Sequence, residues 1–525
     1  MKKIISAIIL MLTSLSASTQ NINLLRKLQI AEYAISNFYV DDVDEEKLVE
    51  NAIRGMLETL DPHSTYSTAE EVRKMNEQLN GNFEGVGIQF NMTADTLFVI
   101  QTIAGGPAEK AGLQAGDRII SANGTTIAGV KMSTEQIMSL LRGPKGTIVE
   151  VSVVRKGADD TLQFRIVRDK IPLNSINASF MAAPHIGYIK IDSFGATTHK
   201  EFNEAVRNLR EKGMKDLILD LQGNGGGYLN AAVDVVNEFL SRGDTIVYTK
   251  GKHSKDYSFV ASGGYMKKER LVVLIDDFSA SASEITAGAI QDQDRGVVIG
   301  RRSFGKGLVQ RPIDLPDSSM IKLTVSRYYI PSGRCIQKSY EDKKEYDEDL
   351  INRYNNGEMS SADSIHFPDS LKYKTVRLKR IVYGGGGIMP DIFVPLDTTK
   401  VKPLYREMMN KNILIDTSVK YIDAHRDELK TAYKNFEEYM EKFEIDDAVI
   451  KSMEEAAVKE GITVNDTLKA EAMPLIKLQL KALIARDIWT MNEYSRIIAS
   501  MNDPLQKALE ILHSGKYETI LGRKN

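Results

Sequence analysis

A chain of 525 residues, 42% hydrophobic and 26% charged, has globular composition and room for about three domains. Its net charge of -3 argues against a protein built chiefly to neutralise phosphates, and its single cysteine, Cys335, excludes an internal disulfide or a cysteine-cluster metal site. None of the seven histidines stands in a His-x-x-x-His or His-Glu-x-x-His pattern, so zinc hydrolysis is disfavoured and no metal or cofactor is implied.

Residues 1–19 read as a signal peptide. Lys2 and Lys3 precede an apolar run from Ile4 to Leu15, and Ser16-Ala17-Ser18-Thr19 supplies small residues for cleavage. The competing reading, an uncleaved anchor, is disfavoured by the shortness of the run, and no later run approaches the roughly 20 residues that a span needs. No cysteine lies near the cleavage region to carry a lipid. A soluble exported protein is expected, and a bacterial periplasm fits best.

Residues 20–78 carry a helical pattern: Leu24, Leu25, Leu28 and Ala31, then Val49, Ile53, Met56 and Leu57 recur at three- and four-residue spacing. Leu60-Asp61-Pro62-His63-Ser64 interrupts it. Within 79–172 the pattern turns to short strands between glycine turns, with strands predicted at Thr96–Ile103, Arg118–Ala122 and Ile148–Val154. Across 173–398, strands at Ile186–Ile191, Asp216–Asp220, Leu271–Ile275 and Val297–Ile299 alternate with helices at Lys200–Glu211 and Leu229–Ser241. That alternation predicts an α/β sheet. Residues 399–525 are charged and helical, with a helix predicted to start at Pro474.

Three segments of the α/β region could carry chemistry. The strand Leu271–Ile275 runs into Ser279-Ala280-Ser281-Ala282-Ser283-Glu284 and then a predicted helix, Ile285–Gln291. A serine at such a strand-to-helix turn sits near helix N–H groups that favour developing negative charge. Ser281-x-x-Glu284 is equally a capping box, and from this segment alone capping is the simpler reading. The second segment is Gly300-x-x-x-x-Gly305-Lys306-Gly307. A lysine packed between glycines loses solvent, which favours a neutral amine able to take a proton from a hydroxyl. The phosphate-loop reading fails at Gly307, where a Ser or Thr would hold magnesium, and no helix follows. The third segment, Gln222-Gly223-Asn224-Gly225-Gly226-Gly227, precedes a helix. It reads as half of an oxyanion hole, as a phosphate cradle or as a simple tight turn.

Two resemblances weigh these alternatives. Gly85-Val86-Gly87-Ile88, Gly106-Pro107-Ala108-Glu109-Lys110-Ala111-Gly112-Leu113, Gly116-Asp117-Arg118-Ile119 and Asn123-Gly124 together resemble a PDZ domain over about ninety residues. That implies capture of a free C-terminus at Gly85, Val86, Gly87 and Ile88, with an apolar last residue beside Ile88. From Leu60 to Pro395 the chain resembles the C-terminal processing peptidases, the tail-specific serine proteases of family S41. The resemblance implies an α/β multidomain protein: a ClpP/crotonase-like S41 core with an inserted β-rich PDZ domain and helical N- and C-terminal regions. It implies Ser281 as nucleophile, Lys306 as general base 25 residues on, and Gln310, four further, orienting the lysine. It also implies an oxyanion hole from the Ala282 N–H with Gly226 or Gly227. The family loop commonly has proline where this chain has Gly225. The implied partners are proteins or peptides with free apolar C-termini, and no nucleic acid. Residues 399–525 could serve as a dimerisation element, an adaptor-docking surface or a lid. Two rivals stand: a histidine base at His185 or His199, and an exported PDZ scaffold on an inactive protease fold.

Overall fold

The computed structural model describes residues 23–93 and 95–522, so the leader at 1–19 lies outside it. The chain divides into two compact units.

The smaller unit holds the residues up to Arg73 together with Val309–Val325. A helix spans 23–38 and a second spans Glu45–Leu57, started by the Asp44 carboxylate accepting from Lys47 N–H at 3.1 Å. The helical period is present as read; Leu57 of the second helix is buried, whereas the apolar face of the first is exposed. Leu24, Leu28 and Phe38 are all exposed. The Asp61-Pro62 interruption is an Asx-type turn: Asp61 Oδ1 accepts from the N–H groups of His63 and Ser64. Residues 65–67 then pair antiparallel with 320–322.

The larger unit is built around a six-stranded sheet in the order Ile176–Ala183, Ile186–Ile191, Asp216–Asp220, Leu271–Ile275, Val297–Gly300 and Ile392–Phe393. The first pair is an antiparallel hairpin and the rest run parallel. Leu271–Ile275 is buried throughout, as an apolar run covered on both faces must be. The registers Ile186↔Asp216, Leu217↔Leu271 and Val272↔Val297 align the strand starts. The C-terminal ends of the three middle strands therefore reach one edge, where parallel sheets place their chemistry. The glycine loop, the Ser281 turn and the Lys306 loop all leave from that edge.

Residues 399–525 do two different things. Helices Asp503–His513 and Tyr517–Ile520 form a layer of the protease sheet itself: Leu505, Ala508, Ile511 and Tyr517 bury with Ile218, Val272, Leu274 and Ile299. The preceding helices, from Pro403–Asn410 to Met491–Ile498, have their own core around Met408, Ile422, Tyr439, Met453 and Leu480. Among the described residues no helix is long and apolar enough to cross a membrane.

Pro474 does not start a helix. It lies exposed inside the long helix Asp466–Ile488, whose start is capped by the Asn465 side chain accepting from Leu468 N–H at 2.9 Å. Packing of Ala472, Ile476, Leu480 and Leu483 outweighs the missing N–H. Pro474→Ala is therefore expected to stabilise the helical domain by about 2 kcal/mol, because proline in a helix interior costs about 3 kcal/mol and its rigidity returns part of that. A higher urea midpoint for the tail helices checks it.

The PDZ region forms a sheet in the order Ile88–Thr93, Thr96–Thr102, Arg118–Ala122, Ile148–Val154 and Leu162–Val167. Its core joins Val86, Leu97, Val99, Ile119, Ile137 and Val151. Ile88–Thr93 is an edge strand, paired only with Thr96–Thr102 among the described residues.

Candidate active site

Ser281 stands where Leu271–Ile275 turns into the helix Ala282–Asp292. From Ser279 to Asp294 it is the one residue that is not buried. Its backbone is forced to φ 55, ψ -112, a conformation that a non-glycine residue keeps only when its surroundings impose it. The surroundings are identifiable. Asp276 Oδ1 accepts from the N–H groups of Gly223, Phe278 and Ser279, and the Asn224 carbonyl accepts from Ala280 N–H and Ser283 Oγ.

The capping and catalytic readings of Ser281-x-x-Glu284 merge. The fully buried Glu284 carboxylate does accept the Ser281 N–H at 2.9 Å, but the same oxygen, Oε2, also accepts the Lys306 N–H at 2.8 Å. The other oxygen accepts Gly305 N–H at 2.7 Å and Ser303 Oγ at 2.5 Å. One atom thus holds the main chains of Ser281 and Lys306 within a hydrogen bond of it. Burial raises the Glu284 pKa to about 7, against the pull of these four donors. From another side, the buried Tyr328 hydroxyl reaches the carbonyl oxygens of both Ser281 and Lys306. Burial holds that phenol well above its ordinary pKa, so it remains a donor. The sequence alone offers Glu284 only as a cap.

The glycine loop closes on the same turn. A Cβ added at Gly226, whose φ is +105, would stand 2.8 Å from Ser281 Cβ and 3.0 Å from Ala282 N. Gly226 N–H, however, donates to Asn224 Oδ1 at 2.8 Å. Of the two predicted donors, Gly226 therefore serves as the close-approach residue, and Gly227 remains the candidate donor beside Ala282, the first residue of its helix. Gly226→Ala is expected to cut turnover by about 10²–10³-fold, the scale of losing an oxyanion donor, with tail binding retained. Initial rates on a tailed reporter check it.

Gln310 lies in the smaller unit. There its side-chain amide donates to Thr324 Oγ1 at 3.2 Å, which donates in turn to Asp61 Oδ1 at 2.9 Å. His185 sits at the start of Ile186–Ile191, at the sheet edge opposite Ser281, with Nδ1 2.9 Å from the Gly213 carbonyl. His199 Nε2 lies 2.7 Å from Glu238 Oε1, beside a cavity of about 400 Å³ lined by Tyr228 and Asp234. Each histidine is thus engaged by a group other than Ser281.

At the PDZ turn, Val86 and Gly87 direct their carbonyls inward, accepting from Ala108 and Ile103 N–H groups. Gly87 has φ +78, and a Cβ there would meet Ile171 at 2.9 Å. Gly85 abuts Arg142, whose guanidinium lies over Phe83 and pairs with Glu77 at 2.7 Å. Ile88 is only partly covered, and among the described residues the edge strand it opens is unpaired on its outer side.

The profile of peptidase family S41 matches residues 185–345, and a PDZ domain profile matches 98–155. The profile of the activating protease CtpB N-terminal domain matches 9–71, and that of a family of unknown function matches 404–490. The carboxy-terminal-processing protease of Bartonella bacilliformis is 39% identical over 305 residues, 57% of this chain and 69% of that one. Carboxy-terminal processing protease CtpB of Bacillus subtilis is 36% identical over 315 residues, 59% of this chain and 65% of its own length. Among solved structures, the photosystem II D1 C-terminal processing protease is 30% identical over 59% of this chain and 88% of its own, with a TM-score of 0.33. The PDZ domain of a Vibrio cholerae carboxy-terminal protease, solved in complex with peptide, is 35% identical over 18% of this chain and 99% of its own, with a TM-score of 0.16. The chain belongs to peptidase family S41, among its PDZ-bearing carboxy-terminal processing members.

Proposed function

We propose that this chain is an exported serine endopeptidase that takes protein substrates by their free C-terminal tails and cleaves them with a Ser281–Lys306 dyad. The observation that carries the proposal is the single carboxylate oxygen of Glu284 accepting from the backbone of both residues. Lys306, as the neutral amine, removes the Ser281 proton while Oγ attacks the peptide carbonyl. The oxyanion that forms meets the N–H groups of Ala282 and Gly227. Lys306 then gives its proton to the leaving amine, and water attacks the acyl-enzyme by the same route in reverse. Substrate is delivered along the free edge of Ile88–Thr93, its terminal carboxylate at the Gly85–Ile88 turn and an apolar last residue beside Ile88. The basic and apolar leader at 1–19 supports export to a periplasm.

The test is an unstructured reporter with an apolar C-terminus, run beside the same reporter amidated. Wild-type enzyme should cleave the free-tailed reporter about 10-fold or more faster at low concentration, because a lost charge-assisted contact costs about 1.5–3 kcal/mol. Equal rates on both would remove the PDZ domain from substrate selection.

A further inference from the structure

The Lys306 loop has no secondary structure of its own between residues 302 and 307, so other elements must satisfy its backbone groups. Glu284 takes the N–H groups of Gly305 and Lys306. The carbonyls on the opposite side converge on one side chain. Arg353 is 2% exposed and lies on the short helix Asp349–Asn355, beyond the span of the S41 profile. Its guanidinium donates to the carbonyls of Ser303 at 2.8 Å, Phe304 at 3.2 Å and Arg302 at 3.3 Å. It is fixed in turn by Asp349 at 3.0 Å, which also pairs with the Lys338 ammonium at 2.8 Å. Lys338 N–H takes the next carbonyl, that of Gly305, at 2.9 Å.

We propose that Arg353 is a positioning residue for Lys306, holding three consecutive carbonyls of the segment that delivers the lysine. The inference rests on the proposed dyad. A planar fork of donors can satisfy neighbouring carbonyls in fixed geometry, and a lysine cannot. Arg353→Lys is therefore expected to lower kcat about 10²-fold with KM unchanged, as a misplacement of about 1 Å does. It should also move the acid limb of the kcat/KM profile to higher pH, as water reaches the loosened amine. A merely structural defect would lower kcat/KM evenly and leave the limb in place. An even loss or no loss overturns the inference. Should Arg353→Lys fail to fold, Asp349→Asn, which loosens the same guanidinium from outside the loop, carries the same reading. Ser281→Ala is run alongside. Cleavage that survives it strikes the serine mechanism itself, and this inference with it.

A second inference stands on different contacts. The PDZ strand Thr96–Thr102 turns Leu97 and Val99 into the PDZ core, yet Phe98 and Ile100 on its other face are also buried, against Val419 and Ile415 of the tail helices. Around them Arg118 pairs with Asp423 at 2.6 Å, Arg426 donates to the Ile100 carbonyl at 3.1 Å, and the Gln101 amide donates to the Arg486 carbonyl at 3.0 Å. The same helical domain holds the protease sheet, where Asn492 Oδ1 accepts from Ser179 N–H at 2.8 Å. We infer that this domain, whose residues 404–490 match the profile of a family of unknown function, is the brace that fixes the PDZ domain on the protease core while leaving the tail-binding edge open. Arg118→Glu should speed hydrogen exchange at residues 98–101 about fivefold, the scale of an ion pair turned repulsive, and Asp423→Arg in the same chain should restore it. Unchanged exchange in the single variant, or no restoration in the double, overturns the brace.

Discussion

Lys306→Arg and Lys306→Ala are both expected to lower kcat on a tailed reporter by about 10⁴-fold or more, with tail affinity unchanged. The argument turns on the arginine variant. Arginine keeps the charge and at least the reach of lysine, but it is never neutral in a protein, so it cannot accept the Ser281 proton. If Lys306 acted only as a positive charge near the oxyanion, Arg would rescue much of the rate. As a base it must be as damaging as alanine, and removal of one member of a nucleophile–base pair costs rates of this order, about 5 kcal/mol of barrier. Ser281→Ala should match it, and Lys306→Arg combined with Ser281→Ala should be no worse than either alone, because the two act as a unit. His185→Ala and His199→Ala should retain turnover, since one lies at the far edge of the sheet and the other is engaged by Glu238. Single-turnover rates with each purified variant decide the matter. Substantial activity in Lys306→Arg would refute the neutral-lysine mechanism.

The parts of this molecule that could be read from the chain are those where a local pattern has one physical outcome. Leu271–Ile275 and Asp216–Asp220 were legible because a short apolar run between turn residues has no stable place except a covered strand. Ser281-x-x-Glu284 was ambiguous because a cap and a nucleophile turn use the same residues. The carboxylate that caps Ser281 also holds Lys306, which only the fold reveals. Tyr328 and Arg353 escaped for another reason. Each acts on main-chain oxygens from elsewhere in the chain, and a backbone carbonyl leaves no signature in sequence. Gly226 is one of two oxyanion donors that the resemblance implies, yet the Ser281 turn requires its missing side chain, and its N–H is committed to Asn224. Pro474 reads as a helix start because local propensity alone carries no trace of the apolar face that holds its helix together.

Glu284→Gln is the second large effect, and it separates catalysis from stability by pH. The carboxylate accepts four hydrogen bonds, three of them from backbone N–H groups. Glutamine offers one oxygen and one NH₂, so two donors face a donor, at about 1–3 kcal/mol for each group left unsatisfied. The serine turn and the lysine loop are then no longer tied to one atom, and kcat should fall about 10²-fold. In wild type the same group titrates. Burial, the largest cause, raises its pKa from 4.5 to about 7, so acidification through pH 7 places a proton on an acceptor and loosens the clamp. Activity should therefore drop toward pH 6 more steeply in wild type than in Glu284→Gln, whose amide does not titrate. Stability moves the other way. The folded state binds this proton more tightly than the unfolded state, so the contribution is fully present below pH 4.5 and is lost as pH rises to about 7. Urea midpoints at pH 5 and pH 8 should show wild type losing stability across that interval relative to Glu284→Gln, while its turnover rises. A variant that loses turnover but keeps the wild-type steepness of both profiles would mean that another group carries the titration, and that Glu284 holds the dyad in place at a fixed charge.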